Sequence, residues 1–262
     1  MARRDIEGSR ALVTGASSGI GRALVIELAR VGARVVATAR REDRLFDLVE
    51  EAAAEGARLE TVVGDITDAV IRQRALDRAV SAFGGLDILV NNAGVGAMGR
   101  FEKADPIRLR RVMEVNLFAL AEMTRTAIPV LRQGRKPIVV NVSSILGHRG
   151  TPHNSEYCAS KFAVQGFSEA LRAELSSPPP IDVLVVSPGT TETEFFESVL
   201  ERTSAPKWPE HKAVPAEVVA RKTVRAIRRG SHEIVPYTYG KILLWLNRLS
   251  PRLVDALMTR YV

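Results

Sequence analysis

The chain has 262 residues, 46% hydrophobic and 26% charged, the balance of an ordinary soluble globular protein with room for one substantial core. Its single cysteine, Cys158, excludes an intramolecular disulfide, and no apolar run reaches the ~20 residues that a membrane-spanning helix needs. The net charge of +7 comes from arginines scattered among acids along helix-like segments, so no nucleic-acid partner is expected.

Residues 1–7 carry early positive charge with no apolar stretch behind it, which is not the pattern of a secretory signal; a reducing, cytoplasmic setting is expected. The apolar run Ala11-Leu12-Val13 then leads into the glycine-rich loop Thr14-Gly15-Ala16-Ser17-Ser18-Gly19-Ile20-Gly21. A helix is predicted over 20–31, where Leu24, Leu28 and Val31 share one face and Gly32 marks the end. A buried strand follows at 34–39, a helix at 44–55, a strand at 59–63, a helix at 69–83 and a strand at 86–90. Next come a long helical region at 106–131, a strand at 137–142, and a helix at 155–175 ended by Pro178-Pro179-Pro180. A sixth strand is predicted at 181–186. After Pro188 the rhythm breaks into an irregular stretch to about 214. A helix at 215–229 and a short strand at 233–235 complete the pattern. Strands that are apolar throughout and alternate with helices predict an α/β fold, a doubly wound parallel sheet in three layers, read as one domain over 1–262.

Two groups of residues carry chemistry. Glycines after a first strand allow a tight turn and close approach of a pyrophosphate, and the helix behind them offers unpaired amides and a positive dipole end. Thr14 and Ser17 add hydroxyl donors. The second strand ends Thr38-Ala39-Arg40-Arg41 with no acid before Glu42, where a guanidinium would accept the 2′-phosphate of NADP(H) and a carboxylate would repel it. NADP(H) is therefore expected over NAD(H), with Arg40 as the main grip and Ser17 or Arg41 assisting.

The second group is Ser144, Tyr157 and Lys161, in the spacing S-x12-Y-x3-K. Tyr157 and Lys161 lie one helical turn apart on one face. Free tyrosine titrates near ~10, and reaching about 7 requires ~4 kcal/mol of differential stabilisation. A neighbouring ammonium and a cationic nicotinamide ring in a dehydrated cleft are candidates to supply it. Tyr-x3-Lys alone is commonly an exposed helical pair; its value here lies in company with the glycine loop.

Together these residues resemble the short-chain dehydrogenase/reductase family, in its compact single-domain branch, over residues 8–235. The matching positions are the loop Thr14 to Gly21, Asp65-Ile66 after the third strand, Asn91-Asn92-Ala93-Gly94 after the fourth, and Asn116 on the long helix. Ser144, Tyr157 and Lys161 follow, then Pro188-Gly189 and Thr193 after the sixth strand. The resemblance implies a Rossmann-like fold and hydride transfer between a nicotinamide cofactor and a carbonyl/alcohol couple. It also implies the roles. Asn116, Ser144, Tyr157 and Lys161 are catalytic. Gly15, Ser17, Ser18, Gly19, Ile20, Gly21, Arg40, Asp65, Ile66, Asn92, Ala93, Gly94, Pro188, Gly189 and Thr193 bind cofactor, together with Tyr157 and Lys161. A homodimer or homotetramer is implied as well. Residues 190–214, with Phe195, Phe196 and Trp208, occupy the place of the family's substrate lid. The alternatives are an NAD(H)-dependent alcohol dehydrogenase and an NADP(H)-sensing regulatory protein without turnover.

Several residues invite other readings. Ser143 is expected to be a strand-end hydrogen bonder, Cys158 a packing residue, and His148 either a pocket-lining or a loop hydrogen-bonding residue. The four histidines show no metal-ligand spacing, so no metal is expected. The C-terminal extension, residues 237–262, is apolar with basic flanks. It would roof a lipophilic substrate pocket, pack on a partner subunit, or lie on a membrane surface. All three suit a bulky, apolar carbonyl substrate.

Overall fold

The computed structural model describes residues 4–54, 56–196, 199–200 and 213–261. The strands are β1 (Arg10–Thr14), β2 (Arg34–Ala39), β3 (Leu59–Val63), β4 (Ile88–Asn91), β5 (Ile138–Val142) and β6 (Asp182–Val186). Two short pieces, β7 (Thr191–Glu192) and β8 (Val214–Pro215), precede the last strand, β9 (Glu233–Ile234). The helices are α1 (Gly19–Arg30), α2 (Glu42–Ala54), α3 (Ala69–Phe83), α4 (Arg108–Met113), α5 (Ala119–Leu131), α6 (Ser155–Glu174), α7 (Ala216–Arg229), α8 (Thr238–Leu249) and α9 (Pro251–Met258). Seven strands form one parallel sheet in the order β3-β2-β1-β4-β5-β6-β9.

Side chains along a strand alternate between the two faces of the sheet, and here both faces are dry. Val13, Val35, Ala37, Val90, Val140 and Val186 join Leu24, Leu28, Leu45 and Val224 in one apolar cluster. Leu12, Val36, Leu89, Val139 and Val183 join Leu76, Phe83, Met123 and Leu171 in the other. Each fully buried Val or Leu contributes about 1.5–3 kcal/mol, so neither face of the central strands tolerates a polar side chain cheaply. The chain runs outward from β1 through β2 to β3, then returns to lay β4 on the other side of β1. That reversal opens a crevice at the carboxyl ends of β1 and β4, the place where open parallel sheets hold ligands.

The element order agrees with the sequence reading, with three local differences. The fourth strand starts at Ile88; just before it, the Asp87 carboxylate accepts from the backbone N–H groups of Arg10 and Arg135 at 2.9 and 2.6 Å. Residues 106–131 are not one regular helix: α4 and α5 are joined by a wider, π-type turn, Glu114–Phe118, with Asn116 inside it. The stretch read as irregular from Pro188 to 214 begins and ends in order, since β7 and β8 pair with each other in parallel. No helix among the described residues is long and apolar enough to cross a membrane.

A buried ion pair ties α4 to α6. Arg108 Nε donates to Glu156 Oε1 and Oε2 at 3.1 and 2.9 Å, and Nη2 donates to Oε2 at 2.5 Å; Arg108 and Glu156 are 2% and 3% exposed. Glu156 immediately precedes Tyr157, so the pair fixes the start of the helix that carries the tyrosine. Glu156→Ala leaves a guanidinium buried without its carboxylate, and urea unfolding should read a loss of about 3 kcal/mol. A loss near zero would show that α6 does not depend on this pair.

Candidate active site

The glycine loop is a cradle closed by main chain. Gly15 has φ +66°, and a Cβ there would stand 2.7 Å from Ala93 Cα. A Cβ on Gly21 would stand 2.2 Å from the Gly15 carbonyl oxygen, so only glycine lets the loop fold against the start of α1. Ser18 caps α1 in an extended conformation with no side-chain cap bond, and no acid lies in the first turn. The amides of Gly19, Ile20 and Gly21 are thus free of intrahelical partners at a positive helix end. The Ile20 side chain packs on the first apolar cluster.

Thr14 does not present its hydroxyl to this cradle, contrary to expectation. It is 2% exposed, and Oγ1 accepts from the amides of Asn92 and Ala93 at 3.0 and 3.1 Å while donating to the Val90 carbonyl at 3.4 Å. Asn92 Nδ2 in turn donates to the carbonyls of Thr14 and Gly15 at 3.1 Å each. The Asn92 side chain therefore braces the loop after β1 against the loop after β4.

Asn116, fully buried in the π-type turn, clamps the same loop from the other side. Its Oδ1 accepts from Val95 N at 2.8 Å, and Nδ2 donates to the Val95 carbonyl at 3.0 Å and to Ser160 Oγ at 2.9 Å. Ser160 lies on α6 between Tyr157 and Lys161, and its hydroxyl donates to the Tyr157 carbonyl at 2.7 Å. A Cβ on Gly94 would stand 3.2 Å from Asn116 Oδ1 and 3.6 Å from Lys161 Nζ, so the three converge.

Ser144 follows β5 and Tyr157 and Lys161 lie on α6, so sheet and helix bring the three together. Ser144 is 8% exposed, and its Oγ accepts from Leu146 N at 3.1 Å. Lys161 is 4% exposed, with Nζ 5.7 Å from the Tyr157 ring centroid and donating to the Val142 carbonyl at 2.9 Å. Ser143 Oγ donates to the Lys161 carbonyl at 3.0 Å, as befits a strand-end hydrogen bonder. Burial pushes the Lys161 ammonium down to about 8. Burial also pushes the Tyr157 phenol well above its ordinary value, with the Ser144 hydrogen bond pulling the other way. Burial of the phenolate opposes the lowering expected from sequence; Nζ lies 5.7 Å from the ring centroid and bonds a carbonyl.

At the end of β2 the two arginines take different positions. Arg40 is an exposed side chain whose Nη1 lies 3.8 Å from Asp65 Oδ2. Arg41 reaches the glycine loop, donating from Nε and Nη2 to Ser17 Oγ at 3.2 Å each. Its Nη1 lies 2.9 Å from Glu194, which also faces Arg44 at 3.6 Å. Asp65 Oδ1 accepts from the amide and hydroxyl of Thr67, and the Ile66 side chain is buried in the second apolar cluster.

The segment after β6 closes over the same edge. The Pro188 carbonyl accepts from Ile145 N at 2.9 Å, and a Cβ on Gly189 would strike the Tyr237 ring. Thr193 packs on Gly19, and the Phe195 ring stands 5.4 Å from that of Tyr157, giving the tyrosine an apolar wall. The Phe196 side chain and Trp208 lie outside the described residues. His148 Nε2 sits 2.7 Å from Gln165 Nε2, 2.8 Å from Glu233 Oε1 and 3.1 Å from Ser187 Oγ, a hydrogen-bonding role rather than an open pocket wall. That bond to His148 holds the Glu233 carboxyl below the usual range. Cys158 is a buried free thiol, pushed up by burial. Among the described residues no group of His, Cys, Asp or Glu is arranged to hold a metal ion. Sequence reasoning passed over Ser160, Glu194 and Tyr237. Ser160 had a signal, since it lies on α6 three residues after Tyr157 and one before Lys161.

A family model for short chain dehydrogenase matches residues 9–204. The chain is 34% identical to 11-beta-hydroxysteroid dehydrogenase A of Sesamum indicum, across 96% of this chain and 74% of that protein. Two solved structures align over nearly the whole chain. A short-chain dehydrogenase/reductase of Burkholderia phymatum in complex with NAD has a TM-score of 0.87 at 26% identity, covering 95% of this chain and 96% of its own. A short chain dehydrogenase of Burkholderia cenocepacia in complex with NADP has a TM-score of 0.82 at 29% identity, covering 97% and 99%. The chain belongs to the short-chain dehydrogenase/reductase family and is an oxidoreductase of that family.

Proposed function

We propose that the chain is one dinucleotide-binding and catalytic domain that reduces a bulky, apolar ketone or aldehyde with NADP(H), Tyr157 giving the proton. The observation that carries this is the convergence of Ser144, Tyr157 and buried Lys161 beside a glycine loop that opens a helix with no side-chain cap and no acid in its first turn. The cradle fits a dinucleotide. Backbone at Gly15, Ser17, Ser18, Gly19, Ile20 and Gly21 would hold the pyrophosphate, and Asp65 and Ile66 the adenine side. Asn92, Ala93 and Gly94 would line its middle, and Pro188, Gly189 and Thr193 the nicotinamide end. Such a cofactor, when bound, supplies the hydride.

The remaining steps belong to the protein. Ser144 Oγ–H donates to the carbonyl oxygen and stabilises the charge that develops there. Tyr157, whose raised pKa keeps it protonated near neutral pH, transfers its proton to that oxygen. Lys161, as an ammonium, stabilises the phenolate left behind, and Asn116 holds the lysine's surroundings in register. Oxidation would run the same steps backwards, with the supply of reduced or oxidised cofactor setting the direction. Phe195 beside Tyr157 favours an apolar substrate, in keeping with the steroid named for the sesame relative.

Arg41 on Ser17, with no acid ending β2, supports a 2′-phosphate grip shared by Arg41 and Arg40. A second reading, NAD(H)-dependent alcohol oxidation, is favoured by Glu194, whose carboxylate neutralises Arg41 and Arg44. Exposed Phe118 and Phe162, beside Asn116 and on α6, support pairing of copies through these helices into a homodimer or homotetramer. The buried free thiol of Cys158 suits a cytoplasmic location.

Two measurements test the mechanism. Tyr157→Phe should lower kcat about 10²–10⁴-fold with NADPH affinity within twofold of the parent. Substantial residual turnover would remove the tyrosine from its role. For reduction, kcat/KM should fall as pH rises through about 8, because Lys161 is an ammonium below that value and neutral above it. A profile flat across that range, or one that rises, would contradict the assignment.

A further inference from the structure

The helices α8 and α9 leave an apolar face in water. Tyr239, Ile242, Trp245 and Leu249 are 63%, 50%, 62% and 64% exposed, and Leu253 on α9 is 54% exposed. At 100° per residue the four on α8 fall within an arc of ~120°, one stripe along the helix. Lys241 and Arg248 follow along the edge next to Trp245, and Arg252 begins α9. From Val235 to Val254 the sequence has no Asp or Glu. The first acid beyond, Asp255, is held by Arg149. Among the described residues no ion pair engages Lys241, Arg248 or Arg252.

The inner face of the same pair is already engaged. Gly240 lets α8 lie on Ile145, directly after Ser144, where a Cβ would stand 2.9 Å from Ile145 Cγ2. Arg149 Nη1 donates to Asn247 Oδ1 at 3.0 Å, and Val254 is 1% exposed. The helices are therefore fixed to the body by one side and present the other outward. Packing within the chain accounts for the first face and, on the second, engages Tyr239, whose ring stands 5.8 Å from that of Tyr237; Ile242, Trp245, Leu249 and Leu253 remain half or more exposed.

We infer that this outer face docks on an anionic membrane surface. An apolar stripe edged by uncompensated cations is what lies in a lipid interface, rings and aliphatic chains among the acyl groups and ammonium and guanidinium groups at the phosphates. A neutral or cationic protein partner would leave those cations unmatched, and a second copy of this face would set like charges against each other. Because α8 rests on the turn after Ser144, a docked molecule holds its cleft close to the lipid, where an apolar carbonyl compound partitions. The surface binding itself does not depend on the proposed reaction and is measured without substrate or cofactor.

The test is co-sedimentation of the full chain at low salt with vesicles of phosphatidylcholine alone or containing about 30% phosphatidylserine. Alongside it runs the variant W245S/L249S, whose circular dichroism should match the parent because both side chains are exposed. The expected result is tenfold or greater partition onto the anionic vesicles over the neutral ones, lost in the variant and reduced by salt. Failure to sediment with anionic vesicles would overturn the inference, as would partition unchanged by the double substitution. Light scattering showing a self-associated parent and a smaller variant, with no vesicle binding, would assign the face to a second copy instead.

Discussion

The site is arranged around a lysine ammonium taken out of water. Lys161 keeps its charge near neutral pH against desolvation that brings its pKa down to about 8, with the Val142 carbonyl as acceptor. In such surroundings a phenolate is costly, so Tyr157 rests as the phenol, the form that donates a proton. In the proposed reaction the ammonium becomes valuable once the proton has left, because charge–charge attraction strengthens in a dry cleft.

Holding that charge in place requires the parallel sheet. All strands of the main sheet run the same way, so the loops after β1, β4, β5 and β6 meet at one edge. They are cross-braced there by side-chain hydrogen bonds. Thr14 and Asn92 lock the first two loops together, and Asn116 ties the second to α6 through Val95 and Ser160. A π-type turn widens the helix where Asn116 lies, a departure from regular geometry of the kind that recurs at functional sites. The same edge receives α8, so a helix with an exposed apolar face rests on the turn that follows Ser144.

Much of the fold was legible because both sheet faces are buried, which writes the strands as short apolar runs such as Val35 to Ala37. Ser144, Tyr157 and Lys161 were legible because helix and strand-end spacing are short-range. What escaped is of other kinds. The widened turn at Asn116 spans too few residues for its period to be told from a regular helix. The reach of Arg41 to Ser17 and Glu194 joins residues far apart in sequence, and no local pattern separates it from Arg40. Leu86 reads as strand from its apolar character, but the strand begins at Ile88. Residues 239–253 read as amphipathic, yet apolar side chains also lie on the side that faces water.

Calorimetric titration of the full chain and of Arg41→Ala with NADPH and NADH tests the central claim most directly, that the cleft holds a 2′-phosphorylated nicotinamide dinucleotide. The parent should bind NADPH tenfold or more tightly than NADH, ~1.4 kcal/mol or more, with Arg41→Ala losing most of that preference while NADH affinity stays unchanged. Equal or tighter binding of NADH by the parent would contradict the NADP(H) assignment, and binding of neither would contradict the dinucleotide reading of the cleft.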